Sequence, residues 1–218
     1  MLGRSNLLAS LEHYSVLFWD FDGVIKESVE TKTRAYVTLF ESFGAQLAGR
    51  VREHHERNGG MSRLQKIPLY LSWAGVQPTQ EQVRSYCVAF AEAVRQRVIS
   101  CPWVPGAREY LEQHHTRQRF VLISATPEEE MKSIIEALGM TSWFREVHGA
   151  PRPKDGAVAD VLQRWACPAE DALLIGDSTS DYNAACSAGV QFLLRRTPLN
   201  GELQLRHAGA QCEDFVHG

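Results

Sequence analysis

Short apolar runs of strand length alternate with helical patterns over most of the 218-residue chain, and this alternation is what most constrains its fold. The runs are VLFWDF at 16–21, RFVLIS at 119–124, DALLIG at 171–176 and VQFLL at 190–194, with a shorter EVHG at 146–149. Between them, apolar residues recur at helical spacing, as in Met131, Ile134, Ile135 and Leu138. Strands separated by helices predict βαβ units, and therefore an α/β fold with a parallel sheet.

Residues 27–100 interrupt the alternation, because they contain helical patterns and no strand-like run. Tyr36 and Phe40, for example, belong to one apolar helix face. We therefore predict two domains, a core formed by residues 1–26 and 101–218 and an inserted all-helical domain formed by residues 27–100.

Composition excludes several classes of function. The net charge of −3 and a pI near 6.2 provide no electrostatic footprint for nucleic acid or for anionic membranes. The five cysteines are scattered without any C-x-x-C spacing, and such a pattern is typical of reduced thiols. No run approaches the roughly 18 continuous apolar residues of a membrane span. We expect a cytoplasmic protein with a small-molecule partner, and the oligomeric state is left open.

Polar residues follow the predicted strands at the points where these strands end. Ligands of parallel α/β sheets bind beyond the carboxyl ends of the strands, so these residues are expected to converge. They comprise four carboxylates, one hydroxyl and one ammonium: Asp20 and Asp22 after the first strand, Ser124 after the second, Asp177 and Asp181 after the DALLIG strand, and Lys154 at the start of the preceding helix.

The clustered carboxylates indicate a metal. Asp20 and Asp22 lie two apart and point to the same side of a strand, so at about 6 Å they repel by roughly 3 kcal/mol at an effective dielectric near 20. The charges of four carboxylates and one lysine sum to −3. A bound divalent cation would bring this net charge to −1, and protonation of Asp22 as well would bring it to zero. Oxygen ligands beside a phosphate are typical of Mg²⁺, which we predict as the cofactor.

Four short motifs carry a family resemblance over essentially the whole chain. The chain resembles a haloacid dehalogenase superfamily phosphohydrolase of the phosphoglycolate phosphatase or β-phosphoglucomutase kind. The resemblance implies a Rossmann-like three-layer core with a parallel sheet, plus an inserted all-helical cap domain. The motifs are D-x-D-G-V at Asp20-Phe21-Asp22-Gly23-Val24, the serine Ser124, the lysine Lys154, and G-D-x-x-x-D at Gly176-Asp177 with Asp181.

The resemblance also assigns catalytic roles. Asp20 would attack phosphorus and form an aspartyl-phosphate. Asp22 would protonate the leaving oxygen and then take a proton from water. Ser124 and Lys154 would hold the phosphoryl oxygens, with Ala125 beside them.

Metal ligation is implied in the same way. Mg²⁺ would be held by Asp20, Asp177 and the backbone carbonyl of Asp22, while Asp181 would support the metal or Lys154 from behind. Gly23 would keep the turn after the nucleophile tight and close to the phosphate, and so belongs to the predicted substrate-binding set.

Several residues allow more than one interpretation. Arg152 competes with Lys154 for the role of the motif lysine. Arg63 lies in Gly59-Gly60-Met61-Ser62-Arg63, which resembles the G-x-S-R element of sugar-phosphate mutase caps, and would either hold the remote part of the substrate or simply begin a helix. The pair His54-His55 is expected on a solvated surface, and Thr126 is expected to cap the helix that follows.

The leading hypothesis is a Mg²⁺-dependent phosphatase that acts on a small metabolite such as a sugar phosphate or phosphoglycolate. A phosphomutase is the nearest rival, but such mutases typically carry a histidine twelve residues beyond the nucleophile, where this chain has Lys32. A dehalogenase lacks the second aspartate, which is present here as Asp22. A catalytically silent ligand-binding relative is the alternative from a different class.

Overall fold

The computed structural model describes residues 10–216 and contains a parallel sheet of six strands in the order β3-β2-β1-β4-β5-β6. All five predicted strands are present, whereas the two-residue β6 was not predicted. The strands are β1 (Val16–Trp19), β2 (Arg119–Pro127), β3 (Glu146–Ala150), β4 (Ala172–Gly176), β5 (Gln191–Arg195) and β6 (Gln211–Cys212). The prediction of a Rossmann-like α/β fold is confirmed.

Helices fill the connections between the strands. They are α1 (Val29–Phe40), α2 (Ala45–Arg57), α3 (Arg63–Trp73), α4 (Gln80–Ser100), α5 (Ala107–His114), α6 (Glu128–Ala137), α7 (Lys154–Arg164), α8 (Thr179–Ala188) and α9 (Gly201–Arg206). Short 3₁₀ turns occur at Glu41–Phe43, Thr141–Trp143 and Ala169–Asp171. The helical segment, defined here as residues 29–100, contains α1 to α4 and no strand. Its status as a separate domain stays a prediction.

The sheet is covered on both faces, as the apolar strands require. Alternate residues of β1 enter two different cores, with Val16 and Phe18 in one and Leu17 and Trp19 in the other. Helices α7 and α8 cover the first face, and α5 and α6 cover the second together with the helical segment. The result is a three-layer arrangement whose carboxyl edge remains available for a site.

The helical segment lies over this carboxyl edge. Helix α1 packs against α2 and α4, and α4 also contacts α6 beside the sheet. In the connection between α2 and α3, a Cβ atom on Gly60 would overlap the hydroxyl of Ser180 and crowd that of Ser178 at the start of α8. A glycine is therefore needed at position 60 for the helical segment to approach the sheet this closely.

Two further expectations concern the whole chain. Across the residues that the structure describes, every helix is too short or too polar to cross a membrane. All five cysteines are free thiols, as their irregular spacing predicts.

Candidate active site

The ends of β1 and β4 bring the first carboxylates together. These strands are neighbours in parallel register, with Trp19 opposite Ile175, so Asp20 and Asp177 leave adjacent strand ends. The backbone N–H of Asp20 donates to the carbonyl of Ile175 at 3.0 Å. Carboxylate oxygens of Asp20, Asp177 and Asp181 all lie within 4.8 Å of one another. The predicted convergence of these three aspartates is present in the structure.

Lys154 is the lysine of this cluster. Its Nζ lies 2.9 Å from Oδ1 of Asp20 and 2.6 Å from Oδ1 of Asp181. Burial works against the charged form, but attraction by Asp181 and Asp20 outweighs it and raises the pKa of Lys154. Arg152 instead pairs with Asp160 at 3.0 Å on a half-exposed surface. Of the two competitors, only Lys154 lies beside Asp20.

Asp181 holds Lys154 from the side opposite the cleft. Its side chain is fully buried, and one oxygen accepts from Lys154 while the other accepts from Ser178. The Ser178 backbone N–H and hydroxyl donate to Oδ2 at 3.1 and 2.6 Å, which closes a capping box at the start of α8. Asp181 is thus both a helix cap and a fixed anchor for the lysine.

Close packing leaves Asp20 and Asp177 with an excess of negative charge. Burial raises the pKa of Asp20 to about 7, with repulsion from Asp181 adding to burial and Lys154 opposing it. Burial, followed by repulsion from Asp20 and Asp181, also raises the pKa of Asp177 well above its ordinary value. Clustered carboxylate oxygens of this kind fit a hard divalent cation such as Mg²⁺, because its charge would remove the repulsion.

The Asp22 carboxylate has different neighbours from that of Asp20. Its Oδ1 accepts from the Ser28 hydroxyl at 2.5 Å, and its Oδ2 forms an ion pair with Lys32. Burial favours the neutral form, but the Lys32 ammonium outweighs it and lowers the pKa of Asp22. The carboxylate of Asp22 is absent from the cluster of possible metal ligands in residues 10–216, which leaves the predicted ligation by its backbone carbonyl untested.

Gly23, Ser124 and Ala125 surround the carboxylates. Gly23 has a φ of +77°, and a Cβ atom there would overlap an oxygen of Asp177, so both the turn and the close approach require glycine. Ser124 is buried within β2, which continues past the predicted strand end to Pro127, and its Oγ accepts from the N–H of Thr126 at 3.1 Å. Ala125 lines the cleft above Asp20. Their roles toward a substrate stay predictions.

A cleft separates the sheet edge from the helical segment. Its wall on the helical side includes Arg63, which is 4% exposed. The guanidinium of Arg63 lies 2.6 Å from Glu130 of α6 and 4.7 Å from the ring centre of Phe90. Arg63 therefore reaches the cleft, as one interpretation of the sequence required, but it already has a carboxylate partner. The cleft is lined by Asp20, Asp22, Ala125, Thr126, Lys154 and Asp177 from the sheet side, and by Val29, Lys32, Tyr36, His55, Gly59, Gly60, Met61, Arg63, Lys66 and Phe90 from the helical side.

Comparison with known families identifies the family and the fold. The profile of the haloacid dehalogenase-like hydrolase family matches residues 16–194, which is most of the chain. The chain belongs to this family. Both the predicted superfamily and the predicted enzyme class, a hydrolase of the phosphatase type, are confirmed.

Individual relatives agree with this assignment. A phosphoglycolate phosphatase of Pseudomonas fluorescens is 26% identical over 186 residues, which cover 81% of this chain and 67% of the relative. One of Pseudomonas savastanoi is 27% identical over 200 residues, covering 87% and 72%. The crystal structure of CbbY from Rhodobacter sphaeroides superposes with a TM-score of 0.75 at 16% identity, covering 93% of this chain and 95% of that one, a likeness of fold.

Lys32 is a contributor to this hydrolase site that the sequence did not predict. Its Nζ joins the Asp22 carboxylate and also donates to the Thr126 hydroxyl at 2.8 Å. The prediction that Thr126 caps a helix is wrong. Helix α6 begins after Pro127, which makes no side-chain cap. The Thr126 hydroxyl is buried and accepts a hydrogen bond from Lys32 instead. The one available signal was the position of Lys32, where the resemblance to mutases calls for a histidine.

The expectation of a solvated histidine pair is also wrong. His55 is 3% exposed, and its Nδ1 lies 2.7 Å from Nζ of the fully buried Lys66. His54 is half-buried and its Nδ1 lies 3.0 Å from the Tyr70 hydroxyl. Adjacent residues do point in different directions on α2, but α1 and α3 cover the side that carries His55.

Proposed function

We propose that this family member is a Mg²⁺-dependent phosphatase that hydrolyses a small phosphorylated metabolite through an aspartyl-phosphate on Asp20. The observation that carries the proposal is that Asp20 and Asp22, two residues of one turn, have different side-chain contacts. Asp20 contacts Lys154 at the floor of the cleft, whereas Asp22 is held separately by Ser28 and Lys32. This difference in environment supports Asp20 as the nucleophile and Asp22 as the group that exchanges protons.

The first half of the reaction transfers the phosphoryl group to Asp20. An oxygen of Asp20 attacks phosphorus in line with the leaving oxygen, and the P–O bond to the leaving group breaks as Asp22, in its protonated form, gives its proton to the leaving oxygen. Lys154 lies 2.9 Å from Asp20, so its ammonium is positioned to stabilise the negative charge on the phosphoryl oxygens. Asp20, Asp177 and the backbone carbonyl of Asp22 would hold Mg²⁺, whose charge would further stabilise those oxygens.

The second half releases phosphate. A water molecule attacks the phosphorus of the aspartyl-phosphate, the bond between phosphorus and the Asp20 oxygen breaks, and Asp22, now ionised, accepts the proton of the water. The ion pair with Lys32 supports this role, because the ammonium stabilises the carboxylate form of Asp22, which is the form that can accept a proton from water. Lys32 also revises the charge balance drawn from the sequence: four carboxylates, two lysines and one divalent cation are neutral together, so the proton on Asp22 is needed for the leaving group and not for charge balance.

Phosphoglycolate and sugar phosphates are the substrates that we favour. The curated relatives named above are phosphoglycolate phosphatases, and their similarity extends over four fifths of this chain or more. A phosphomutase is the competing hypothesis, against which Lys32 stands at the position of the expected histidine. The cytoplasmic location, the cap-like role of the helical segment and the contact of Arg63 with substrate belong to the same proposal.

The proposal is tested by trapping the intermediate. The parent enzyme with Mg²⁺ should turn over p-nitrophenyl phosphate steadily, and Asp20→Asn should not. Because p-nitrophenolate leaves without a proton, Asp22→Asn should release a burst of product and then stall as a phosphoenzyme. Intact-protein mass spectrometry after a rapid quench should show one added phosphoryl group, which peptide mapping places on Asp20.

Asp160→Asn provides the matched control. Asp160 pairs with Arg152 and Arg164 outside the cleft, so this variant should turn over at the parent rate and accumulate no phosphoenzyme. A phosphoryl group on another residue, or steady turnover by Asp22→Asn at the parent rate, would show that the two aspartates are assigned wrongly. A silent binding protein would hydrolyse no ester in any of these assays.

A further inference from the structure

Lys66 differs from the other cations of the cleft because it has no carboxylate partner. Four lysine and arginine side chains line the cleft, and three of them form ion pairs: Lys32 with Asp22, Arg63 with Glu130, and Lys154 with Asp20 and Asp181. Within residues 10–216, the hydrogen-bond partners of the Lys66 ammonium are His55 and the carbonyl of Gly59, the latter at 3.5 Å. Lys66 is nevertheless fully buried.

While Lys66 is charged, its contact with His55 decides which ring nitrogen of the histidine carries the proton. An ammonium group can only donate, so Nδ1 of His55 accepts and the neutral ring carries its hydrogen on Nε2. That Nε2 is buried and has no hydrogen-bond partner in the described part of the chain. Two kinds of donor are thus left over beside the cleft, the remaining N–H groups of Lys66 and the Nε2–H of His55.

Such an arrangement is costly for a protein without a ligand. Burial, followed by repulsion from Lys32, lowers the pKa of Lys66 to about 7, with attraction by Asp22 offsetting part of the effect. Burial, followed by repulsion from Lys66, also holds the pKa of His55 well below its ordinary value. A buried cation and an unpaired buried donor are both unfavourable unless something of opposite charge is supplied.

We propose that Lys66 and His55 form a second anion-binding subsite, which takes an anionic group at the non-reacting end of the substrate. This inference rests on the proposed phosphatase function of the same cleft, and it narrows the substrate class. The preferred substrate carries a phosphate ester at one end and a carboxylate or second phosphate at the other. The phosphate ester binds beside Asp20 and Lys154, and the second anion binds to Lys66, which has no carboxylate partner among the described residues.

Arg63 serves as the internal comparison. It lies on the same wall of the cleft, but Glu130 already neutralises it at 2.6 Å and Phe90 packs against its guanidinium. Among the described residues Lys66 has no carboxylate partner, and its ammonium lies farther from an aromatic ring, 5.6 Å from the centre of Tyr36. The second anion is therefore assigned to Lys66. The contact of Arg63 with substrate is left to an uncharged part of the molecule, because its guanidinium already ties the helical segment to Glu130 of α6.

The experiment compares matched substrate pairs with the parent enzyme and Mg²⁺. One pair is 2-phosphoglycolate and ethyl phosphate, which differ by a carboxylate. The other is fructose 1,6-bisphosphate and fructose 6-phosphate, which differ by a second phosphate. We expect kcat/KM to be at least about tenfold higher for the member with two anions in one of the pairs, as loss of one hydrogen bond to a charged group predicts. The preferred pair identifies the anion.

The variant Lys66→Met should remove this preference. It keeps the length of the side chain and loses the charge, so kcat/KM for the substrate with two anions should fall at least about tenfold more than for its partner. Because the lost charge is buried and unpaired, the melting temperature should rise or stay the same, whereas a merely structural Lys66 would make the variant less stable. Lys132→Met, which removes an exposed lysine of α6, should retain the parent's preference and activity.

The outcomes separate the subsite from the phosphatase itself. If the parent hydrolyses ethyl phosphate and p-nitrophenyl phosphate but prefers neither substrate with two anions, the subsite is wrong and the phosphatase stands. The same holds if Lys66→Met lowers both members of the preferred pair equally, or if the variant unfolds. If the parent hydrolyses none of the esters, the proposed function fails first.

Discussion

The two sides of the cleft carry opposite charge and acquire it in different ways. On the sheet side, Asp20, Asp177 and Asp181 crowd together with a single lysine, so negative charge is in excess. On the helical side, positive charge is in excess because Lys66 lacks a carboxylate partner among the residues described. The comparison indicates that each side suits a ligand of the opposite charge, a cation on the sheet side and an anion on the helical side.

Two buried ion pairs connect these sides. Lys32 of α1 reaches down to Asp22, and Arg63 of α3 reaches across to Glu130 of α6. Each pair takes one partner from the helical segment and one from the sheet side. The excess charges on the two sides remain separate because the pairs between them are already neutral.

The largest effect is expected from removing the cation on the acidic side. Chelation with excess EDTA should abolish turnover of p-nitrophenyl phosphate, and added Mg²⁺ should restore it. Asp177→Asn should weaken Mg²⁺ binding by about 100-fold or more. Removal of a residue that only hydrogen-bonds to a metal ligand already lowers metal affinity about 10- to 100-fold, and loss of a ligand should lower it further. Titration of activity against Mg²⁺ measures both. Undiminished turnover in excess chelator would contradict the view that the carboxylate cluster is a metal site.

The acidic side could be predicted from sequence because its parts are local. Asp20, Asp22 and Asp177 directly follow apolar strands, and the carboxyl ends of parallel strands meet by topology alone. The contacts of Lys32 and Lys66 join residues of different helices, with His55 eleven positions before Lys66 on another helix. Helical periodicity shows which face is apolar, but the packing of α1 to α3 decides which polar side chain is enclosed.

The prediction for Thr126 failed for a related reason. A threonine three residues before a glutamate matches a capping box, so local sequence favoured a helix start. In the structure β2 continues to Pro127, and the hydroxyl is used by Lys32 of α1 instead. A tertiary partner ninety-four positions away outweighs a local signal that contributes about 1 kcal/mol.

An intermediate effect is expected from breaking the contact between the two sides at Lys32. Loss of the ammonium in Lys32→Met should raise the pKa of Asp22, because burial would then act without the opposing charge. The base for water would be protonated more often near neutral pH, so kcat should fall about 10- to 100-fold. The acid limb of the profile of kcat against pH should move to higher pH.

The shift in pH profile distinguishes this role of Lys32 from simple loss of packing. Lys132→Met again serves as a control, since Lys132 is half-exposed and pairs with Glu128 and Glu129 at the surface. A uniform loss of kcat at every pH, with an unmoved acid limb, would mean that Lys32 supports the fold but does not tune Asp22.

The smallest effect concerns the stability of the metal-free protein as pH changes. Asp20 has a pKa near 7 in the folded protein and an ordinary value near 3.8 when unfolded. Between these values the unfolded chain has released a proton that the folded protein still holds, so folding is progressively disfavoured as pH rises from about 4 to 7. In EDTA, the melting temperature of the parent should fall relative to that of Asp20→Asn over this range, by on the order of 5 °C. Differential scanning calorimetry at several pH values measures the difference in melting temperature between the two proteins, which cancels the contribution of surface acids.

Saturating Mg²⁺ should remove most of the difference between the two curves of melting temperature against pH, because the cation replaces the proton as the partner of the buried carboxylate. Parallel curves for the two proteins in EDTA would show that the acidic side of the cleft does not carry the unbalanced charge on which the comparison rests.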